Sequence, residues 1–243
     1  MKKQINVKQS RFRDAAWFSK VENLAIPIVI GGAGGIGSWL TLFLSRVLSP
    51  TTFLYLYDHD TVEEVNMAGQ LYSVNDIGKY KVDAINEMVI RYSGYRSINP
   101  QKEKYVKESL ASPIMFSAFD NMEARKIMFE NWKNEAANFK DDSIFIDGRL
   151  LAEQLQVLFV TPDKAALYED VYLFDDSEVD DTSCSYKQTT HFAATIAAKM
   201  VQGFTNWLAK EAMAELPFYY EEFGTLFMTT VTQNDRNTRK KDS

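Results

Sequence analysis

The sequence is poor in cysteine and histidine. Among its 243 residues there is one cysteine, Cys184, and there are two histidines. A single thiol excludes an internal disulfide and a zinc site built from several cysteines. Two histidines leave little material for a histidine-rich metal site or for Ser-His-Asp catalysis. Low cysteine content is typical of a reducing compartment, so we expect a cytoplasmic protein.

Long apolar runs and a surplus of positive charge are also missing. The longest apolar stretches, such as residues 25–30, are far shorter than the roughly 20 residues of a membrane-spanning helix. The basic first residues precede no apolar segment, so no signal peptide is predicted. Lys and Arg total 27 against 33 Asp and Glu, a net charge of −6. This balance argues against nucleic-acid binding, and we expect neither a nucleic acid nor a membrane as partner.

Strand and helix patterns alternate along the chain. A continuous apolar run over 25–30 ends in glycines and is typical of a buried parallel strand. Residues 38–48 have helical apolar spacing and precede Pro50, and a second strand pattern covers 53–57. Together they predict a βαβ unit. Later patterns predict helices over 79–92, 122–138 and 191–214, and strands over 114–119, 143–146, 154–160 and 225–232.

This order of elements predicts an α/β fold. We expect a Rossmann-like, mainly parallel sheet that is extended by antiparallel strands and has helices on both faces. No repeat and no linker rich in Pro, Gly and Ser is present, so a single domain over 1–243 is predicted. Within it we expect an N-terminal helical segment at 1–24 and a disordered tail at 233–243.

Glycines and aspartates cluster where predicted strands end. Gly32-Ala-Gly-Gly-Ile-Gly37 satisfies G-x-G-x-x-G between a strand and a helix, and Asp58 follows at about the 20-residue distance of a ribose-binding carboxylate. Asp120 and Asp147 also follow strand patterns, at the sheet edge where α/β proteins bind ligands. The pattern indicates an adenine nucleotide without separating ATP from NAD. A tight strand–helix turn without a ligand is the alternative.

Three further motifs follow the glycine-rich segment in a fixed order. They lie at residues 58–70, 78–81 and 120–125. As an ordered set they resemble the ThiF/MoeB/HesA and ubiquitin-activating-enzyme family, whose pattern runs G-x-G-G-x-G, D-x-D-x-V-x-x-x-N-x-x-R-Q, G-x-x-K and D-N-x-x-x-R. Residues 97–100 resemble the segment that often precedes the third strand of that family. The resemblance covers roughly residues 11–231.

The resemblance implies an enzyme that depends on ATP and Mg²⁺. Such an enzyme adenylates the C-terminal carboxylate of a ubiquitin-like or sulfur-carrier protein that ends in Gly-Gly, and it releases pyrophosphate. It further implies a homodimer. Because a carboxylate must approach the α-phosphate, the site has to neutralise two anions and hold the reacting groups in line.

The resemblance also implies which residues bind the nucleotide. Asp58 would bind the ribose hydroxyls and Asp60 would lie beside it. Lys81 would lie along the phosphates, a role that its spacing favours over Lys79, although both lysines could be solvated. The glycines that would let the loop pass close to the nucleotide are Gly32, Gly34, Gly35 and Gly37.

The remaining matched side chains concern the metal and the attacking carboxylate. Asp120 would hold Mg²⁺, a hard cation that takes oxygen ligands, with Asn121 beside it. Asn66 and Gln70 would orient the phosphate or the incoming tail. A helix N-cap is the alternative role for Asp120. Arg125 is expected to form an ion pair on its helix.

One position departs from the family pattern. Gly69 stands where the family has an arginine near the phosphates. Arg149 could substitute for it, and so could Arg11 or Arg13 from the N-terminal segment of a partner subunit. A binding-only protein without catalysis is the other interpretation.

Cys184 precedes the last long helix and could accept the acyl group as a thioester or take part in sulfur transfer. An inert loop thiol is the alternative. Two further alternatives concern the whole chain: an NAD(P)-dependent oxidoreductase, and a relative that adenylates a short peptide or a modified tRNA base.

Overall fold

The computed structural model describes residues 12, 14–139, 142–151, 154–174, 190–209, 218–223 and 228–232. An eight-stranded sheet runs through this part of the chain in the order β3-β2-β1-β4-β5-β6-β7-β8. Its strands are β1 (Ile28–Gly31), β2 (Leu54–Tyr57), β3 (Ile98–Gln101), β4 (Ile114–Ser117), β5 (Ile144–Leu151), β6 (Gln154–Val160), β7 (Tyr219–Phe223) and β8 (Met228–Thr232).

Five strands are parallel and three are antiparallel. β3, β2, β1, β4 and β5 pair in parallel, with Ile28 of β1 opposite Leu54 of β2 and Ile114 of β4. β5, β6, β7 and β8 pair antiparallel. The central strands are short, apolar and buried, as expected for parallel strands that are covered on both faces. The predicted α/β fold with an antiparallel extension is confirmed.

Helices cover both faces of the sheet. They are α1 (Phe18–Glu22), α2 (Gly35–Val47), α3 (Lys81–Ser93), α4 (Met122–Phe139), α5 (Ala165–Tyr172) and α6 (Thr190–Ala209). On one face, α2, α3 and α6 bury residues such as Leu40, Ile85 and Ile196 in one core. On the other face, α4 and α5 bury Trp132 and Tyr168 in a second core. Each fully buried large apolar side chain contributes about 1.5–3 kcal/mol.

Three of the differences from the predicted elements concern β3, α5 and β7. Residues 98–101 form the strand β3 itself, whereas the sequence pattern placed them before a strand. Pro100 is accommodated because β3 lies at the sheet edge and pairs only with β2. The short helix α5 and the strand β7 were not predicted. Two glutamates interrupt the apolar pattern of β7, so the sequence does not predict a strand there. Glu221 is nevertheless buried, and Gln156 and Tyr219 donate hydrogen bonds to its carboxylate.

Every helix within the described residues is too short or too polar to cross a bilayer. Four of the predictions fall outside the described residues: Cys184, Arg11, Arg13 and the tail 233–243.

Candidate active site

A crevice for a ligand is expected where β1 and β4 lie side by side. β1 leads into α2 on one face of the sheet, and β4 leads into α4 on the opposite face. The chain connections therefore diverge above the carboxyl ends of these two strands. This divergence is the topological switch point at which open α/β sheets bind ligands.

The glycine-rich loop follows β1, and its glycines have different structural reasons. Gly32 has φ 91°, a conformation that favours glycine. A Cβ atom on Gly37 would lie 1.8 Å from the carbonyl oxygen of Gly32, so α2 packs directly on the loop. A Cβ atom on Gly34 would meet nothing within 4 Å. The fold therefore requires Gly32 and Gly37, whereas the space at Gly34 is open to a ligand.

The N-terminus of α2 points into this space. Gly34 is the N-cap and offers no side chain to the helix end. The amides of a first helical turn lack partners within the helix and have a partial positive charge. Such an end is suited to a phosphate group.

Asp58 ties the glycine loop to the end of β2. Its Oδ2 accepts a hydrogen bond from the Ala33 amide at 2.7 Å, and its Oδ1 accepts one from the Asp60 amide at 2.8 Å. Burial raises the pKa of Asp58 above its usual value, although both amides and Lys81 act in the opposite direction. Each carboxylate oxygen retains a further acceptor site, so a hydroxyl donor from a ligand can be added.

Lys81 places a positive charge beside Asp60, just after the end of β2. Its Nζ lies 2.8 Å from Asp60 Oδ2, and its side chain is 9% exposed. Burial alone would raise the pKa of Asp60, but Lys81 lowers it below its usual value. Lys79 instead contacts Asp76 and Glu87. The two lysines thus have different partners, and the role of Lys81 at the phosphates stays a prediction.

A loop after β2 packs against the glycine segment. Leu71 donates its amide to Ser38 Oγ at 3.1 Å, and the Tyr72 hydroxyl donates to the Ala33 carbonyl. Gly69 lies beside Gly35, since a Cβ atom on Gly35 would be 3.7 Å from the Gly69 carbonyl oxygen. The departure from the family pattern therefore lies next to the loop. Ser38 and Tyr72 were not predicted, because nothing in their sequence spacing indicates these contacts.

The two predicted amide side chains of this loop have different surroundings. Asn66 Oδ1 accepts the Glu63 amide at 2.8 Å and stabilises a 3₁₀ turn. Gln70 is buried, and its backbone amide donates a hydrogen bond to the backbone carbonyl of Asn66. Asn66 therefore has a structural role in the turn, which the sequence did not indicate.

Asp120 lies just beyond β4 and is exposed. Asn121 caps α4, since its Oδ1 accepts the Ala124 amide at 2.9 Å. The alternative role of Asp120 as a helix cap is therefore taken by its neighbour. Within the described residues, the hydrogen bond that the Asp120 carboxylate accepts is a long one, 3.3 Å, from Asn121 Nδ2. An exposed carboxylate is a suitable ligand for Mg²⁺, whereas Asn121 turns its Nδ2 toward Asp120 and uses its Oδ1 for the helix cap.

The hypothesis that Arg149 substitutes for the missing family arginine is wrong. Its Nε lies 2.6 Å from Asp147 Oδ2, and its Nη2 donates to the Tyr168 hydroxyl at 3.2 Å. The side chain is 5% exposed. Asp147 does not end its strand either, because it lies within β5 and is fully buried. Arg125 forms an ion pair, but its partner is Asp147 of β5, at 3.3 Å, and not a residue of its own helix.

The pairing of Asp147 with Arg149 has a signal in the sequence. Residues two apart on a strand project from the same face, so an Asp-x-Arg pattern within an apolar strand predicts contact between the two side chains. The sequence prediction of a short strand over 143–146 concealed this pattern, since β5 extends to Leu151.

Comparisons with known proteins agree with this geometry. A model of the ThiF family matches residues 6–241. No curated protein matches the sequence. Solved structures similar in fold include MccB of E. coli with ATP, at 15% identity and a TM-score of 0.67, covering 88% of this chain and 65% of that one.

Two further structures are similar to the same extent. PaaA is 18% identical with a TM-score of 0.66, covering 88% of this chain and 65% of PaaA. The microcin C7 biosynthetic enzyme MccB in complex with N-formylated MccA is 15% identical with a TM-score of 0.65, covering 88% of this chain and 66% of that one. At these identities the likeness concerns the fold. The chain spans about two thirds of the length of these proteins.

Proposed function

Since the chain belongs to the ThiF family, we propose that it is an ATP- and Mg²⁺-dependent adenylyltransferase that activates a carboxylate. One observation supports this most strongly. The open space at Gly34 lies at the same sheet edge as the ion pair of Lys81 with Asp60 and the exposed Asp120. An ordinary strand–helix turn requires none of these side chains.

The nucleotide is bound by the first part of the chain. The amides at the start of α2 receive phosphate oxygens, and Gly34 leaves room for them. Asp58 accepts the ribose hydroxyls. Lys81 provides a compact positive charge, and its ion pair with the half-exposed Asp60 can be exchanged for a phosphate at little cost.

Asp120 holds the magnesium ion in this proposal, with Asn121 beside it. The ion, when bound, neutralises negative charge on the phosphate oxygens. Asn121 also caps α4, so the residue next to Asp120 fixes the start of the helix and limits the movement of the carboxylate.

The reaction is a displacement at the α-phosphorus. A carboxylate oxygen of the substrate forms a bond to phosphorus, the bond to the β-phosphate oxygen breaks, and pyrophosphate leaves with the electron pair. No proton transfer is needed, so the residues act by position and charge. Asn66 and Gln70 orient the phosphate or the carboxylate, and Lys81 offsets the repulsion between the two anions.

The substrate is the C-terminus of a ubiquitin-like or sulfur-carrier protein that ends in Gly-Gly. The similarity in fold to the microcin biosynthetic enzyme MccB favours a short peptide as the second candidate. Cys184 as the acyl acceptor, Arg13 as the arginine contributed by a partner subunit of a homodimer, and a cytoplasmic location remain predictions. With Arg149 buried, Arg11 and Arg13 are the remaining candidates to replace the family arginine.

Exchange of labelled pyrophosphate into ATP tests this proposal. The protein is assayed with Gly-Gly-ended carrier proteins and, separately, with short peptides that have a free C-terminus. We expect exchange that depends on one of these two classes, is lost in Asp120→Ala and persists in Glu123→Ala. Glu123 is a matched control because it is an exposed carboxylate three residues away, in the first turn of α4.

Two other outcomes distinguish the alternatives. Binding of ATP with Mg²⁺ but no exchange with either class would contradict the adenylation step and favour a binding-only protein. Binding of NAD⁺ instead of ATP would favour the oxidoreductase.

A further inference from the structure

Four buried polar side chains form a group beneath the loop that contains Asp120. We call Arg125, Asp147, Arg149 and Tyr168 the buried cluster. Asp147 Oδ2 accepts hydrogen bonds from Arg149 Nε at 2.6 Å and from the Tyr168 hydroxyl at 2.9 Å. Arg125 Nη1 lies 3.3 Å and 3.4 Å from the two oxygens of Asp147. All four side chains are at most 5% exposed.

One member of the cluster reaches the backbone of the candidate site. Arg125 Nη2 donates a hydrogen bond to the carbonyl oxygen of Phe119, and Phe119 is the residue before Asp120. Arg125 lies in α4, while the carbonyl belongs to the segment between β4 and α4. The arginine therefore ties the segment with Asp120 to the helix that follows it.

Both ends of this segment are also fixed by other bonds. The Ala118 amide donates to the Gly31 carbonyl at 2.8 Å, which joins the segment to the glycine loop. Asn121 caps α4 at the other end. The bond from Arg125 to Phe119 acts between these two points, directly before Asp120. The position of the Asp120 carboxylate relative to the glycine loop thus depends on where Arg125 is held.

Asp147 is what holds Arg125. Burial alone would lower the pKa of Arg149, but Asp147 and Tyr168 raise it above its usual value. For Arg125, burial lowers the pKa and Asp147 offsets part of this effect. Two buried guanidinium groups share the carboxylate of Asp147, and the charge of Asp120 also acts on Arg125. A buried ion pair is weak evidence for a role in stability, because apolar side chains of the same volume often stabilise as well or better.

We propose that Arg125 is a positioning residue, fixed by Asp147, Arg149 and Tyr168, that places Asp120 for the binding of the Mg²⁺–ATP complex. This inference rests on the proposed function for the role of Asp120. It adds three side chains outside the predicted set, Asp147, Arg149 and Tyr168, that act on the site through Arg125 without touching the ligand.

Hydrogen exchange in the ligand-free protein tests the structural part. Asp147→Asn and Tyr168→Phe weaken the hold on Arg125, and the tyrosine variant removes a single hydroxyl and retains the volume. We expect faster exchange of the Ala124 and Ala118 amides in both variants, and more so in Asp147→Asn. Unchanged exchange at both amides would overturn the inference. Glu221→Gln is the control, since this buried carboxylate is bound by Gln154, Gln156 and Tyr219.

The magnesium dependence of ATP binding tests the functional part. Loss of an outer partner of a metal site weakens metal affinity by about 10- to 100-fold. We therefore expect the Mg²⁺ concentration for half-maximal ATP binding to rise at least about tenfold in Asp147→Asn, less in Tyr168→Phe, and not in Glu221→Gln. In an Asp120→Ala background the substitution at Asp147 should have no further effect on this concentration.

The outcomes separate this inference from the proposed function. An equal shift with and without Asp120 would show a general loss of structure and overturn the positioning role. If the wild-type protein does not bind ATP with Mg²⁺, the proposed function fails. The exchange rates at Ala118 and Ala124 then still decide whether the buried cluster holds the segment.

Discussion

Two groups of charged side chains lie near the carboxyl ends of the parallel strands, and they differ in their access to water. We call Asp58, Asp60 and Lys81 the exposed group. In this group Asp60 pairs with Lys81, and the Asp60 side chain is 50% exposed. In the buried cluster, Asp147 pairs with Arg149 and Arg125, and the Asp147 side chain is 0% exposed. Both groups bring an aspartate against a cation. Only the first can exchange its partner for a ligand from solution, because its carboxylate can be hydrated when the lysine leaves.

The two groups should differ most in what they contribute to the free energy of unfolding. Asp147→Asn removes the buried carboxylate that both guanidinium groups contact, and such a change costs about 3–5 kcal/mol. Asp60→Asn breaks a pair in which the lysine is 9% and the aspartate 50% exposed, which should cost less, about 1–3 kcal/mol. The free energy of unfolding from urea denaturation measures both. Equal losses in the two variants would remove the distinction between the groups.

Two glycine substitutions in the loop after β1 distinguish a glycine that the fold requires from one that the proposed nucleotide requires. Gly37→Ala forces a Cβ atom against the backbone of Gly32 and should lower the free energy of unfolding by about 1–3 kcal/mol. Gly34→Ala meets no atom within 4 Å, so its stability should change by about 0.5 kcal/mol or less. The same Gly34→Ala change should weaken ATP binding, as measured by calorimetry. Unchanged ATP affinity in Gly34→Ala would show that the open space is not used by the nucleotide.

The two lysines of the third motif offer a matched pair. Lys81→Met removes a charged donor from the proposed phosphate site, an interaction of about 1.5–3 kcal/mol, so the Kd for ATP should rise roughly tenfold or more. Lys79→Met breaks only the contacts to Asp76 and Glu87 and should leave the Kd unchanged. The idea is wrong if Lys79→Met weakens ATP binding as much as Lys81→Met does.

The pKa values of Asp58 and Asp60 should show the smallest of these effects. Burial raises the pKa of Asp58, whereas Lys81 lowers the pKa of Asp60 against the effect of burial. Carboxyl-carbon NMR should therefore show Asp58 titrating above the usual aspartate range and Asp60 below it. In Lys81→Met both values should rise. If Asp58 titrates below Asp60 in the wild-type protein, the described electrostatics are incorrect.

These shifts have opposite consequences as the pH falls. The stabilising contribution of Asp60 is present above its unfolded-state pKa and is lost as the pH falls through its lower folded-state pKa. Asp58 becomes protonated at a higher pH, and its protonated form accepts fewer hydrogen bonds from ribose hydroxyls. ATP binding should therefore weaken as the pH falls through the pKa of Asp58, before the contribution of Asp60 to stability is lost.

The sequence predicts the exposed group better than the buried cluster. The glycine loop, Asp58 and Lys81 come together at one end of a βαβ unit, where their spacing along 32–81 placed them. The bounds of β6 were also predicted, from the aromatic and β-branched residues over 154–160, and the strand is buried along most of its length. Local patterns of this kind are visible because each residue depends on near neighbours in the chain.

The buried cluster depends on contacts between distant segments. Arg125 lies in α4, Asp147 and Arg149 in β5, and Tyr168 in α5, a helix that was not predicted. The sequence prediction ended this strand at residue 146, so Arg149 was expected beyond the strand, where it could contact phosphate. In the folded chain β5 continues past it, and tertiary packing then decides the partner of each charge.

Isothermal titration calorimetry with ATP and Mg²⁺ tests the central claim most directly. We predict a single site for ATP with Mg²⁺, weakened in Asp120→Ala and Lys81→Met, unchanged in Glu123→Ala, and no heat of binding with NAD⁺. Binding of NAD⁺ in place of ATP, or ATP affinities equal to that of the wild type in both site variants, would contradict the account.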